Sequence, residues 1–248
     1  MEILRGRHVL GQQDGEAFRT SLTPLEVGAA RSRFLKDRNE RFTDKTMMTD
    51  RRPARSESRR EYDISYRLEK IRTPASLDLT PMFAALEAVR EAQTPKALKN
   101  VCKRFLTSLS SFYDIPSPSL KLLGPRPHST REGHLANELF GDYDIKLAKI
   151  RLWTRTPMKK RWASSKTILS TLCHEFMHHL DVTSLGFPNS FHTIGFYERT
   201  HRLYLTAIGH PYYPLVWRRF GFEGRQVIDW HETKQRRAKV LVGTKVVG

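Results

Sequence analysis

The sequence predicts an α+β fold. A small mixed sheet packs on one helix that carries His174-Glu175-Phe176-Met177-His178, and a flexible basic N-terminal extension precedes this domain. Three observations predict it. Apolar residues recur at helical spacing through several segments between residues 80 and 208. Ile150, Leu152 and Thr154 alternate with Arg151, Trp153 and Arg155, the period of a strand with one buried face. From Arg31 to Arg72 the chain holds 14 Lys or Arg against 8 Asp or Glu. Its apolar residues are too few to offset the entropy of ordering it.

Composition sets the outer bounds. A chain of 248 residues suits one good-sized domain with extensions, or two small domains. Hydrophobic residues make up 39% and charged residues 28%, which describes a core diluted by polar tails. The net charge of +17 and a pI near 10.2 favour a polyanionic partner, so nucleic acid is expected on the basic surface and the N-terminal arm. A basic surface that is merely soluble is the plainer alternative. Two cysteines, Cys102 and Cys173, argue against a disulfide framework and against a zinc ribbon of four cysteines. Residues 1–11 lack the apolar run of a secretory signal, and no stretch approaches the roughly 18 apolar residues of a membrane span. The expected location is cytoplasmic, nucleoid-associated or nuclear, with no membrane partner.

Taken in order, residues 1–75 read as the extension. Thr23-Pro24 opens a short helix carrying Leu25, Val27, Phe34 and Leu35. Arg51-Arg52-Pro53-Ala54-Arg55 and Arg59-Arg60 then read either as an arm that touches phosphates or as a solvated linker. Residues 76–215 form the domain, with order beginning near Leu77. Thr80-Pro81 starts one helix, with Met82, Phe83, Leu86 and Val89 on its apolar stripe. Thr94-Pro95 starts another, carrying Leu98, Val101, Cys102, Phe105, Leu106, Leu109 and Phe112. Ser119 to Leu123 reads as a short strand, and Gly124 to Asn137 as loop. Residues 138–155 form a hairpin or two successive strands. Lys146 to Arg161 contributes seven Lys or Arg and no acid. Ser164 or Ser165 caps the motif helix. After the turn at Gly186-Phe187-Pro188, a further helix runs from about Ser190 to Ile208 and stops at Gly209-His210-Pro211. Residues 216–248 read as a C-terminal extension packing partly on the domain, with Lys239 to Val247 an edge strand or a frayed tail.

The motif gives the chemistry. On a helix from Lys166 to Val182, at about 100° per residue, Ile168, Leu169, Leu172, Cys173, Phe176, Met177 and Leu180 fall within one half of the wheel. His174 and His178 lie one turn apart on the other side, spaced to share one zinc ion. Glu175 points away from that pair and can serve as general base toward water at the metal. His179 reads as a packed histidine. Asp181 reads either as a hydrogen-bond acceptor behind a ligand or as a solvent-facing acid. The residues leave three candidates for the third ligand. His192 follows a loop that can return over the metal, and His201 lies further on. Glu198 stands 20 residues after His178, the separation of the glutamate ligand in thermolysin-like enzymes.

His174-Glu175-x-x-His178, thirteen intervening residues, then His192 with Phe196 four residues on, resembles the SprT-like (Spartan-type) zinc metallopeptidase domain. The strand Ile150-Arg151-Leu152-Trp153 ahead of a Ser-capped helix is similar too, and the likeness covers roughly residues 80 to 208. The resemblance implies a zincin-like domain, Zn2+ held by His174, His178 and His192, and hydrolysis of a protein or peptide substrate with Glu175 as base. Members of the family are zinc proteases, some acting on proteins crosslinked to DNA. The chain departs from the pattern twice. Thr193 stands where the family usually has glycine, and no cysteine-rich ribbon follows. Tyr197, His201 and Tyr204 are candidate donors to the oxyanion. The backbone near Leu152 to Thr154 is a candidate for pairing with an extended substrate. Two other functions fit the same residues: a nucleic-acid-binding protein with a structural or non-catalytic zinc site, and a regulatory metallopeptidase that cleaves one specific protein without nucleic-acid contact.

Overall fold

In the computed structural model, which describes residues 5–9, 47–74, 79–131, 134–221 and 224–245, the alternation at residues 149–155 becomes the middle of a sheet. Five strands precede or flank the motif: β1 (Arg5–Val9), β2 (Ser119–Pro125), β3 (His128–Arg131), β4 (His134–Asp144) and β5 (Lys149–Arg155). Their order is β1-β4-β5-β2, with β3 also paired to β4. β4 and β5 form an antiparallel hairpin, β2 runs parallel to β5, and β1 runs antiparallel to β4. The α+β class with a small mixed sheet is as expected. On β5, Ile150, Leu152 and Thr154 are buried while their neighbours are half-exposed, so the period of two has its expected cause.

Because β5 is an inner strand, it offers no edge to a substrate. Leu152 pairs with Leu122 on one side and Gly141 on the other. Trp153 pairs with Leu123, and the Thr154 carbonyl accepts from the Ala163 N–H at 2.8 Å. The expected docking strand at residues 152–154 is thereby corrected.

The helices are α1 (Ser56–Arg67), α2 (Thr80–Glu91), α3 (Pro95–Tyr113), α4 (Ser165–Thr183), α5 (Ile194–Ala207) and α6 (Trp230–Lys245). Ser164 caps α4 by accepting from the Thr167 N–H at 3.1 Å. The apolar half of α4 packs into a core shared with β4, β5, α2, α3 and α5, and Phe176, Met177 and Leu180 are fully enclosed. Its polar half is enclosed as well: His174, Glu175, His178 and Asp181 are each 1% exposed or less. Cys102 and Cys173 are free and buried, and burial pushes the Cys102 thiol up to about 12.

Several local expectations change. Residues 56–67, read as part of a basic stretch without packed structure, form α1 against α5. The helix has no broad apolar face. Tyr62 and Ser65 are its buried residues, and its grip is polar, as set out below. The close approach requires glycine: a Cβ on Gly195 of α5 would lie 2.0 Å from the Ser65 carbonyl oxygen and 2.7 Å from that of Leu68. Part of the expected loop at 124–137 is strand, because β3 extends the ladder of the long β4. Residues up to 245 of the C-terminal stretch continue α6 rather than forming an edge strand. Ahead of α6, β6 (Trp217–Phe220) and β7 (Arg225–Ile228) make a hairpin, and Leu215 and Ile228 join the core. The short helix expected at Thr23-Pro24 and the onset of order near Leu77 lie outside the described residues. Among the described residues no helix is long and apolar enough to cross a membrane.

Candidate metal centre

Of the three histidines that could hold a metal, two come from helical spacing and one from a loop. His174 and His178 project from successive turns of α4 with their Nε2 atoms 3.2 Å apart. The segment between α4 and α5 folds back so that His192 Nε2 lies 3.1 Å from His174 Nε2 and 3.2 Å from His178 Nε2. Three such nitrogens cannot all be hydrogen-bonded to one another, since each has a single in-plane site, either a proton or a lone pair. Three nitrogens at metal-bond length around a tetrahedral zinc ion would sit about 3.3 Å apart, so the triangle matches a metal site. His174, His178 and His192 are the group that could hold a metal ion among the described residues. Phe196 lies beneath all three imidazoles, its ring centroid 4.5 to 5.1 Å from theirs.

No family model matches the chain, and neither the curated proteins nor the solved structures searched contain a match. The arrangement of the site therefore rests on its own geometry.

Two of the three histidines, His178 and His192, have partners outside the triangle that the motif does not name. Ser190 Oγ lies 3.0 Å from Asp181 Oδ2 and 2.8 Å from His178 Nδ1. The hydroxyl donates to the carboxylate and so accepts from the imidazole N–H. That assigns the proton of His178 to Nδ1 and leaves the Nε2 lone pair for a metal. Asp181 is itself fully buried against Arg199, with contacts of 2.9 and 3.1 Å. Burial pushes the Asp181 carboxyl up to about 6, against the pull of Arg199 and Ser190. Of the two expected roles, Asp181 takes the one behind a ligand, through Ser190.

His192 is held by Asp50. Its main-chain N–H donates to Asp50 Oδ2 at 2.8 Å, its carbonyl accepts from the Asp50 N–H at 2.8 Å, and its ring Nδ1 lies 3.5 Å from the same carboxylate oxygen. Burial acts to raise the Asp50 carboxyl, but His192 and Arg225 outweigh it and hold it below the usual value. The loop itself is braced by α1. Glu61 accepts from the N–H groups of Asn189 and Ser190 at 2.8 and 3.2 Å. Ser190 sits at φ 44°, the left-handed region, and these bonds hold it there. Tyr62 packs on Phe191 with ring centroids 5.8 Å apart. Thr193 caps α5 through the Phe196 N–H at 3.0 Å and meets Ser65 Oγ at 3.0 Å, so it ties the start of α5 to α1.

Glu175 is fully buried on the side of α4 that faces β4. A Cβ at Gly141 would lie 2.9 Å from Glu175 Oε1 and 2.7 Å from Thr171 Cγ2, so the carboxylate occupies space that only glycine leaves open.

The remaining candidates are placed elsewhere. Glu198 accepts from the Tyr212 hydroxyl at 2.8 Å and the Leu215 N–H at 3.0 Å, a network on the far side of α5. His179 is packed, as expected, between the Tyr143 hydroxyl at 2.8 Å and the Pro116 carbonyl at 2.7 Å. Tyr197 stacks on His192, yet its hydroxyl donates to the Met48 carbonyl at 3.1 Å. His201 packs on Tyr213, and Tyr204 lies against the core. Sequence reasoning missed Asp50, Glu61, Ser65, Ser190 and Arg199. Only Arg199 left a signal: it stands on the apolar stripe of α5 between Phe196 and Leu203, where an unpaired charge would not be buried.

Proposed function

We propose that the chain is a zinc-dependent metallopeptidase of the SprT-like kind, hydrolysing peptide bonds in a protein substrate. The observation that carries the reading is the convergence of His174, His178 and His192 Nε2 within 3.2 Å of one another, with Glu175 enclosed on the adjacent position of the same helix. Three imidazole nitrogens converging on one point suit zinc. Zinc held there supplies Lewis acidity, lowering the pKa of water and polarising a carbonyl. Glu175 accepts the proton of that water on its carboxylate and later delivers it to the nitrogen of the leaving amine. Ser190 and Asp50 keep two of the three rings in register. A purely structural site has no use for a carboxylate at position 175, which favours catalysis over a non-catalytic centre.

The basic surface supports a substrate associated with nucleic acid. Lys99, Lys103 and Arg104 on α3 and Lys159, Lys160 and Arg161 after β5 are exposed. A binding constant for DNA that falls steeply with salt is the expected behaviour; no binding to DNA even at low salt would leave a regulatory peptidase without nucleic-acid contact.

The mechanism is tested by Glu175→Gln. The variant is expected to retain one equivalent of zinc by elemental analysis while cleavage of an unfolded protein substrate falls by about 100-fold or more. Undiminished cleavage would remove Glu175 from the mechanism.

A further inference from the structure

We infer that Thr49 is a positioning residue for His192, and that β7, acting through Thr49 and Asp50, helps to hold the three histidines together. The inference rests on the metal-binding half of the proposed reading and is independent of peptide hydrolysis. Residues 47–49 run antiparallel to β7. Met48 pairs with Val227, the Ile228 N–H donates to the Met47 carbonyl at 3.1 Å, and the Thr49 N–H donates to the Gln226 carbonyl at 2.8 Å. Thr49 turns two further polar groups the same way. Its Oγ1 accepts from the Gln226 N–H at 2.9 Å, and its carbonyl accepts from Arg225 Nε at 3.0 Å. Asp50 faces the opposite direction, as the next residue of an extended chain does. Its N–H donates to the His192 carbonyl at 2.8 Å, and its Oδ2 accepts from the His192 N–H at 2.8 Å. Its own carbonyl accepts from the Tyr62 hydroxyl of α1 at 3.1 Å. Two adjacent residues thus join β7 to His192.

The side chain at position 49 matters because it completes the ladder. In regular antiparallel pairing the Gln226 N–H would go to the carbonyl opposite. Here the Thr49 hydroxyl takes that bond and leaves the carbonyl to Arg225. Thr49 is 1% exposed, so an apolar residue in its place would deprive the Gln226 N–H of its acceptor where water does not readily replace it. The end of the strap would then shift from β7 and carry Asp50 with it. His192 is the member of the triangle most sensitive to such a shift, since it lies outside a helix while His174 and His178 are fixed on α4. The strap reaches it by two routes. Asp50 holds both main-chain groups of His192, and Tyr197, stacked on the His192 ring at 5.6 Å, donates its hydroxyl to the Met48 carbonyl at 3.1 Å. Peptide and ring are therefore set by the same four residues, and β7 sets those residues in turn. Groups behind a metal ligand typically change metal affinity by about 10–100-fold when removed.

The test uses the full chain with Thr49→Val, which removes the hydroxyl, and Thr49→Ser, which keeps it. Each is made alone and together with Asp50→Ala. Zinc affinity is measured by competition with a chelator, and exchange of the His192 amide is measured in the metal-free protein. Thr49→Val is expected to weaken zinc by about tenfold and to speed His192 exchange by about tenfold, while Thr49→Ser stays within about twofold of the unaltered chain. With Asp50→Ala already present, Thr49→Val is expected to change zinc affinity by less than about twofold, because the route through Asp50 is gone. An equal loss in both backgrounds, or a Thr49→Ser variant as weak as Thr49→Val, would reduce Thr49 to general stability and overturn the inference. Arg225→Met cuts the same contact from its half-exposed side. It is expected to weaken zinc by about threefold only while Asp50 is present, and it decides the matter if Thr49→Val does not fold. If the unaltered chain takes up no zinc, the metal reading falls, and His192 exchange still decides the role of Thr49. If zinc binds all the proteins alike, the metal reading stands and the inference is overturned.

Discussion

Ser190 and Gly141 act on the two halves of the site separately, and single substitutions tell them apart. The Ser190 hydroxyl links His178 Nδ1 to the buried Asp181–Arg199 pair. Ser190→Ala leaves the imidazole proton without its acceptor, and the ring loses its preference for the tautomer that presents Nε2. Zinc affinity, measured by competition with a chelator, is expected to fall by about 10–100-fold with the fold retained. Unchanged affinity would mean that packing on Phe196 alone orients the ring. Gly141→Ala acts on Glu175 instead. The new Cβ would meet Glu175 Oε1 at 2.9 Å and Cγ at 3.0 Å, so the carboxylate must move. On the proposed peptidase reading, a displacement on the order of 1 Å at Glu175 is expected to lower kcat by about 100-fold while zinc content stays at one equivalent. Loss of zinc together with activity would point to a general disturbance of α4.

At the scale of elements, α1 braces the loop that brings a third histidine to the two on α4. Glu61, Tyr62 and Ser65 of α1 hold the loop that delivers His192, and Arg199 of α5 donates to the carbonyls of Ser65 and Leu68 at 3.1 and 2.6 Å. Gly195→Ala places a Cβ 2.0 Å from the Ser65 carbonyl oxygen, which only a shift of α1 relieves. The expected loss of stability is about 1–3 kcal/mol by urea unfolding, as for overpacked cores generally, with weaker zinc retention because the loop loses its brace. Unchanged stability and zinc binding would show that α1 is dispensable for the site. The sequence made α2, α3, α4 and α5 legible because each carries an apolar stripe at helical spacing. It hid α1 because that helix is anchored by a tyrosine, a serine, a glutamate and its own carbonyls, none of which contributes to periodicity. β3 was hidden for a related reason: its pairing comes from the length of β4 rather than from alternation in His128–Arg131.

Across the whole molecule, the three converging histidines were legible and their supports were not, since local spacing records a helix but not the contact between Asp50 and His192, which is long-range in sequence. The same long-range burial sets how the fold responds to acid. Burial holds the His201 imidazole down at about 4, from an ordinary value of 6.5. Between those values the unfolded chain binds a proton that the folded chain excludes. The contribution of His201 is therefore full above about pH 6.5 and is lost as pH falls toward 4. His179, also lowered by burial, acts in the same direction. Asp181 acts in the opposite one: with its carboxyl raised from 3.8 to about 6, the folded chain holds the extra proton, and its penalty relaxes as pH falls through 6. His201 and Asp181 thus pull stability in opposite directions as the pH falls. His201→Phe keeps a ring against Tyr213 while removing one imidazole. The difference in Tm between pH 6.5 and 4.5 is expected to shrink or change sign in that variant. An acid slope equal to that of the unaltered chain would show that His201 is protonated in the fold as readily as outside it.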